Sequence, residues 1–358
     1  MNRSREALRA APALLVLLAT WAASTADAAP ESCRRVALRV TAAQTFHAVW
    51  SYDSTELVVV DLAGGRLLRF AQDGRYVGAV MRPGEGELEF SKPTQIHATR
   101  EGWLIQDVGR KWVWVDQKFS PLRSLSTSGP DGRPFVQLVD ESLWGQELAG
   151  FGSYRGADRK WQGALLRVSL KPLEVRQVVE EISFTGKGGN FYGTLLPVVA
   201  HAGGQAYFLR FAEPPYLLRA NPKTRLKAFP QGFDRLAALP ESRGPQSTAA
   251  RQQALQKATL PVSLYGAGSL LYLLTRRPGD HGTVWQLHQI DPQRDRLIRS
   301  LTLPSSASDL VLAPGSSNWA ILEKGPVQPN GDQPAANLLF VPAAWIENSK
   351  PAGKLECP

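Results

Sequence analysis

Short β-rich runs joined by glycine turns recur along this chain, and the recurrence limits its fold more than any single residue does. The first unit opens on the apolar run Glu56–Asp61. Gly64-Gly65 turns it, Arg66–Phe70 runs back, Gln72-Asp73-Gly74 turns again and Arg75–Val80 returns. Gly-Gly and Asp-Gly between such runs are hairpin signals. The outline returns at Trp103–Asp107, Lys111–Asp116 and Leu122–Leu125. It returns again at Gln205–Arg210, Tyr216–Arg219 and Arg225–Phe229, and at Leu270–Leu274, Val284–Ile290 and Arg296–Leu301. Looser copies start at Leu143, taking in Ala164–Val168, and near Trp319, taking in Leu338–Val341. Six units at a spacing of roughly 50 residues suit radial blades of four antiparallel strands. The expected fold is all-β, a six-bladed β-propeller. A β-sandwich or two stacked β-domains would compete, but neither gives a reason for the period.

Part of the first unit resembles a known repeat. Val60-Asp61 with Arg66-Leu67, Phe70, Asp73-Gly74 and Tyr76 leads into Gly84-Glu85-Gly86-Glu87-Leu88-Glu89-Phe90 and then Pro93. This is similar to the NHL repeat of six-bladed propellers, most strongly over residues 56–125. The glycine-rich turn, the Glu-Phe pair and the proline at the start of the next blade carry the resemblance. It implies the fold and, by itself, no activity, because one fold hosts many functions.

The ends of the chain indicate export. Arg3, Arg5 and Arg9 precede the apolar stretch Ala13–Ala19, and Ala26-Asp27-Ala28 is a small-x-small cleavage site. Residues 1–28 therefore read as a signal peptide cut before Ala29. The apolar stretch is shorter than the ~20 residues a membrane span needs. A periplasmic or extracellular location follows as an expectation. The chain has two cysteines, Cys33 and Cys357, near the two ends of the mature 29–358 domain. An even pair in an exported protein is a disulfide candidate. No metal-ligand cluster surrounds either cysteine. Arg34–Val40 could add the outer strand of the last blade and so fasten the ring. That would bring Cys33 beside the tail carrying Cys357. An unclosed ring would leave open strand edges.

The formal net charge is +9, with the basic residues scattered and no block of five or more. In an exported protein this reads as a solvated positive surface. It disfavours nucleic acid and allows attraction to anionic envelope polymers or head groups. One segment departs from the strand pattern. Residues 247–257 are rich in helix formers, with Ser247 placed to cap the start and Pro240, Gly244-Pro245 and Pro261 flanking them. A short helical insertion between the fourth and fifth units is expected there.

The motifs of catalysis are missing. No zinc-protease spacing joins His47, His97, His201, His281 and His288. No Gly-x-Ser-x-Gly elbow appears. Gly186-Lys187-Gly188-Gly189-Asn190 lacks phosphate-loop spacing, and no calcium loop of alternating carboxylates is present. Asp280-His281-Gly282-Thr283-Val284-Trp285 partly resembles the Asp-box turn of sialidases, without its serine. Glu85, Glu87 and Glu89 belong to the repeat-like turn, and Glu180-Glu181 form a second acidic pair. The chain holds ten tryptophans. Trp112 and Trp114 share one face of a strand, to pack between blades or to stack on a sugar or peptide.

The function read from these residues is a non-enzymatic exported propeller that binds a protein, peptide or envelope saccharide through one face or its central channel. The ligand-binding candidates are Asp107, Arg110, Lys111 and Arg210, charged residues at strand ends, where loops carry function. No cofactor is expected. The alternative is a hydrolase or lyase with a divalent metal or a charged cluster at the axis. His97 and His201 are its metal candidates, because both lie near the presumed starts of inner strands.

Overall fold

Six four-stranded antiparallel sheets account for every strand among the described residues of the computed structural model. The structure describes residues 33–38, 45–84, 86–108, 111–127, 136–155, 160–182, 198–211, 214–234, 257–280, 282–324 and 336–348. All of them lie in the unit Ser32–Pro358. The signal segment, Arg110, residues 247–256 of the helix expectation, and Cys357 fall outside the described residues.

Each sheet is one blade, with its first strand innermost. Blade 1 is β2 (Thr45–Trp50), β3 (Glu56–Asp61), β4 (Arg66–Ala71) and β5 (Tyr76–Val80). Blade 2 is β6 (Pro93–Ala98), β7 (Gly102–Asp107), β8 (Lys111–Asp116) and β9 (Pro121–Ser126). Blade 3 is β10 (Val136–Trp144), β11 (Glu147–Arg155), β12 (Trp161–Leu170) and β13 (Leu173–Ile182). Blade 4 is β14 (Val198–Ala202), β15 (Gln205–Arg210), β16 (Tyr216–Arg219) and β17 (Thr224–Arg225). Blade 5 is β18 (Leu260–Ala267), β19 (Leu270–Gly279), β20 (Gly282–Asp291) and β21 (Arg296–Thr302). Blade 6 is β22 (Asp309–Ala313), β23 (Asn318–Lys324) and β24 (Ala336–Pro342), completed by β1 (Arg34–Ala37).

The first strand of the chain thus closes the last blade, as its sequence led us to expect. β1 runs antiparallel to β24, with Arg34 opposite Phe340 and Ala37 opposite Asn337. Arg34 lies 5.1 Å over the Phe340 ring, and Arg35 pairs with Glu323 at 3.0 Å. Gly74, at φ +79°, lets the β4–β5 turn of blade 1 approach the same ring, where a Cβ would meet Phe340 at 2.7 Å. The inner strands β2, β6, β10, β14 and β18 contact one another in sequence, and β2 also meets β22, so the sheets form a ring.

The core is divided among six seams rather than gathered in one layer. Leu57 and Val59 face blade 6, whereas Val58 and Val60 face blade 2. Both faces of a blade are covered, so its middle strands read as continuous apolar runs without polar alternation. Trp112 and Trp114 point together into the seam between blades 2 and 3, the packing role of the two considered. The NHL-like turn falls where its resemblance implies. Phe90 is fully buried and bridges to Arg82, and Pro93 opens the inner strand of blade 2.

Two elements differ from the sequence reading. The strand expected at Arg225–Phe229 shortens to Thr224–Arg225, because the chain then leaves the sheet to bury Leu226, Ala228 and Phe229 in the seam with blade 5. A short helix, α1 (Ala343–Asn348), follows β24 and buries Ala343 and Ile346 between blades 5 and 6.

Turns joining first to second strands and third to fourth strands lie on one face of the ring, because neighbouring strands are antiparallel. We call this the upper face.

Candidate functional site

Two groupings of polar side chains stand out, one at the axis and one on the upper face. At the axis, polar groups join the inner strands of blades 1 to 4. The Ile96 N–H donates to His47 Nδ1 (3.3 Å), linking blades 1 and 2. His97 Nε2 lies 3.2 Å from Glu141 Oε1, linking blades 2 and 3. Glu141 also accepts bonds from Gln106 Nε2 (3.0 Å) and Trp112 Nε1 (2.9 Å). Its neighbour Asp140 accepts from Gln95 Nε2 (3.1 Å) and from the Val199 N–H of blade 4 (2.8 Å). His201 Nδ1 meets Ser142 Oγ at 3.0 Å. Adjacent carboxylates serve two blades because the β10–β11 register shifts between Leu138 and Asp140, and such a bulge re-aims side chains.

Burial governs the charge of this network. It pushes the Asp140 carboxyl up to about 7, against the pull of its bonds from Val199 and Gln95. Burial, helped by the charge of His97, lowers His47 to about 3. His201 falls to about 4 by burial first, then by His97 and Arg167. Removal from water penalises the charged form in each case.

The upper face carries a groove of about 610 Å3 over the seam between blades 2 and 3, reaching blade 1 at Tyr52. Its rings are Tyr52, Trp114 and Trp144, and its charged lining is Arg100, Glu101 and Arg123. Tyr52 is 59% exposed and Trp144 54% exposed. Arg123 sits 4.3 Å over the Trp114 ring. Arg100 Nε donates to the Tyr52 hydroxyl at 3.0 Å. The Trp144 indole stacks on His201, with centroids 6.4 Å apart and planes 23° apart. A second hollow of about 610 Å3 adjoins the groove at Gln146 and is lined by Arg167, Lys171 and Arg176.

The sequence-derived candidates do not gather here. Asp107 is buried and its Oδ1 accepts the N–H groups of Ser91 and Lys92, capping the connection into blade 2. Lys111 donates to the Gly86 carbonyl of the same connection. Arg210 pairs with Glu180 at 2.8 Å across the seam between blades 3 and 4. His97 and His201 do lie on inner strands, each engaged with its own partner on β10. Among the described residues, no three His, Cys, Asp or Glu side chains are placed to share a metal ion. Cys33 is buried in the seam between blades 5 and 6. Sequence reasoning missed Tyr52, Arg100, Arg123 and Trp144. Each sits in or beside a turn of a different hairpin, and no linear motif joins them.

No protein-family model matches the chain, and no curated protein matches its sequence. Solved structures align with most of it. A Bacteroides fragilis protein thought to be exported is 10% identical, with 87% of this chain and 96% of that one covered and a TM-score of 0.48. A member of the DUF4221 family from Bacteroides vulgatus is 10% identical, with 87% and 98% covered and a TM-score of 0.47. A calcium-binding protein, regucalcin, from Agrobacterium tumefaciens is 10% identical, with 84% and 90% covered and a TM-score of 0.46. Likeness at this level says nothing of a site, and the propeller assignment rests on the six sheets themselves.

Proposed function

We propose that this chain is an exported, non-enzymatic propeller that holds a protein, peptide or envelope-saccharide partner on its upper face. The observation that carries the reading is the groove over blades 1 to 3, where two large aromatic rings stay exposed beside two arginines. Exposed rings grouped in a concavity mark binding surfaces more often than scattered exposed apolar residues do. The axial groups support the same reading. Each is spent on a neighbouring blade, as expected of groups that fasten inner strands together.

No helix among the described residues is long and apolar enough to cross a membrane. Export is supported by the leader of residues 1–28, and sequencing the N-terminus of the mature protein should find Ala29 first. The binding role is tested by immobilising the mature chain and measuring what it retains from an envelope extract. Wild type should retain material that a Trp144→Ala, Arg100→Gln double variant releases. Equal retention by both would end this reading.

A second reading, a hydrolase or lyase at the axis, draws on one observation. Asp140 titrates near 7 beside the His97–Glu141 pair, a range suited to proton exchange at neutral pH. A chelator-sensitive melt, with metal found in the untreated protein, would favour it. An unchanged melt and no metal would favour the binder.

A further inference from the structure

We propose that the upper-face groove takes an acidic saccharide, with pyranose faces lying on Trp144 and Tyr52 and sugar carboxylates held by Arg100 and Arg123. The inference rests on the binding role proposed above and assigns that site a ligand class.

The mounting of Trp144 points to a purpose-built platform. The ring is more than half exposed, yet it is stacked on the half-buried His201. Beneath it runs the turn Gly203-Gly204, both at positive φ (+55° and +75°), where a Cβ on Gly204 would touch the indole at 3.6 Å. A ring fixed before binding loses little freedom when a ligand covers it. A flat, rigid aromatic face suits the C–H face of a sugar ring.

Charge selects among sugars. Among the described residues, Arg100 and Arg123 have no carboxylate within salt-bridge reach. Glu101 is the single acid lining the groove. Planar guanidinium groups recognise carboxylates with two parallel bonds. The adjoining hollow adds Lys171 to the positive lining, while its Arg167 and Arg176 pair with Glu147 and Glu174. A peptide fits less well. Extended peptides are commonly held by main-chain bonds to a free strand edge. The strands ending at this groove, β6, β8, β10 and β12, are each paired within their own sheets.

The test is a titration of the full mature chain with an oligogalacturonate of about six sugars, followed by calorimetry and tryptophan fluorescence. A neutral cello-oligosaccharide of equal length and a polyglutamate of equal charge serve as comparisons. The oligogalacturonate should bind at least about tenfold more tightly than either. Trp144→Ala, and separately the pair Arg100→Gln and Arg123→Gln, should each weaken it by about tenfold, while Trp144→Tyr restores much of the loss. Trp144 is surface-exposed, and a matching melt for each variant shows that folding is intact. Polyglutamate binding as tightly as the sugar acid, or no binding by any probe, overturns the ligand class. Oligogalacturonate binding that ignores all three substitutions overturns the groove itself.

Discussion

Glu141 shows how much one residue of the axis carries. Its buried carboxylate accepts from Trp112 and Gln106 and faces His97. Glu141→Leu would leave the Trp112 indole N–H and His97 Nε2 without this partner, with Gln106 keeping only the Leu138 carbonyl, which costs about 3–5 kcal/mol for a broken buried network. Urea unfolding should show a midpoint shift of that size, and Glu141→Gln a smaller one, because one amide oxygen still accepts. The neighbouring Asp140 gives a pH signature. Its folded carboxyl sits near 7, above its unfolded value, so it favours the folded state at low pH and loses that contribution as pH rises from about 4 to 7. His47, His201 and His288, lowered to about 3, 4 and 4, act oppositely, and their penalty fades as pH rises toward 6.5. Three histidines against one carboxyl make stability rise with pH between about 4.5 and 6.5. Asp140→Asn should steepen that rise by up to about 1.4 kcal/mol per pH unit in melts across the window. A slope equal to wild type would show that Asp140 titrates normally. Sequence alone set His97 and His201 near the presumed starts of inner strands; they lie near the ends of β6 and β14, and their partners could not be read. Glu141 and Ser142 follow a register shift, so counting alternate positions from Val136 assigns them to the wrong sides.

At the scale of elements, the second, third and fourth strands were legible in every blade but the third, where only β12 was read, and the first strands were not delimited. The middle strands are covered on both faces and advertise themselves as unbroken apolar runs, as Leu57–Val60 does. The inner strands spend positions on interblade bonds, so Pro93–Ala98 is interrupted by Gln95 and His97 and Val198–Ala202 is a short apolar run broken by His201. The groove was invisible for a related reason, being assembled from turns and strand ends spread along the chain from Tyr52 to Leu170. The shortened β17 has a cause in blade 5. Asp295 accepts the N–H groups of Lys227 and Ala228 at 2.8–3.0 Å, which draws the chain away from its ladder. Asp295 itself stands at φ +48°, a conformation that Asn tolerates and Ala resists. Asp295→Asn should therefore cost under about 1 kcal/mol and Asp295→Ala about 2 kcal/mol, read from chemical denaturation. Equal losses would mean that backbone conformation plays no part.

At the scale of the whole ring, stability depends on one seam. Five blades are each built from a continuous stretch of chain, so their sheets form locally. Blade 6 is completed only when the four residues of β1 return across the full length of the domain to pair with β24. The four paired residues, the Arg35–Glu323 pair, the Arg34–Phe340 contact and the packing of Val36 and Leu38 must together offset the entropy of closing so long a loop. The Cys33–Cys357 pairing proposed from sequence would remove most of that cost from the unfolded chain. The chain-entropy account sets an upper figure of about 5 kcal/mol. Thiol titration in denaturant should find no free thiol before reduction and two afterwards. Reduction and Cys33→Ser should lower the melting temperature equally, and the reduced protein should open first at β1, seen as early amide exchange over residues 34–37. Two thiols before reduction would show that the strands alone hold the ring. Opening elsewhere would show that this seam is not its weakest point.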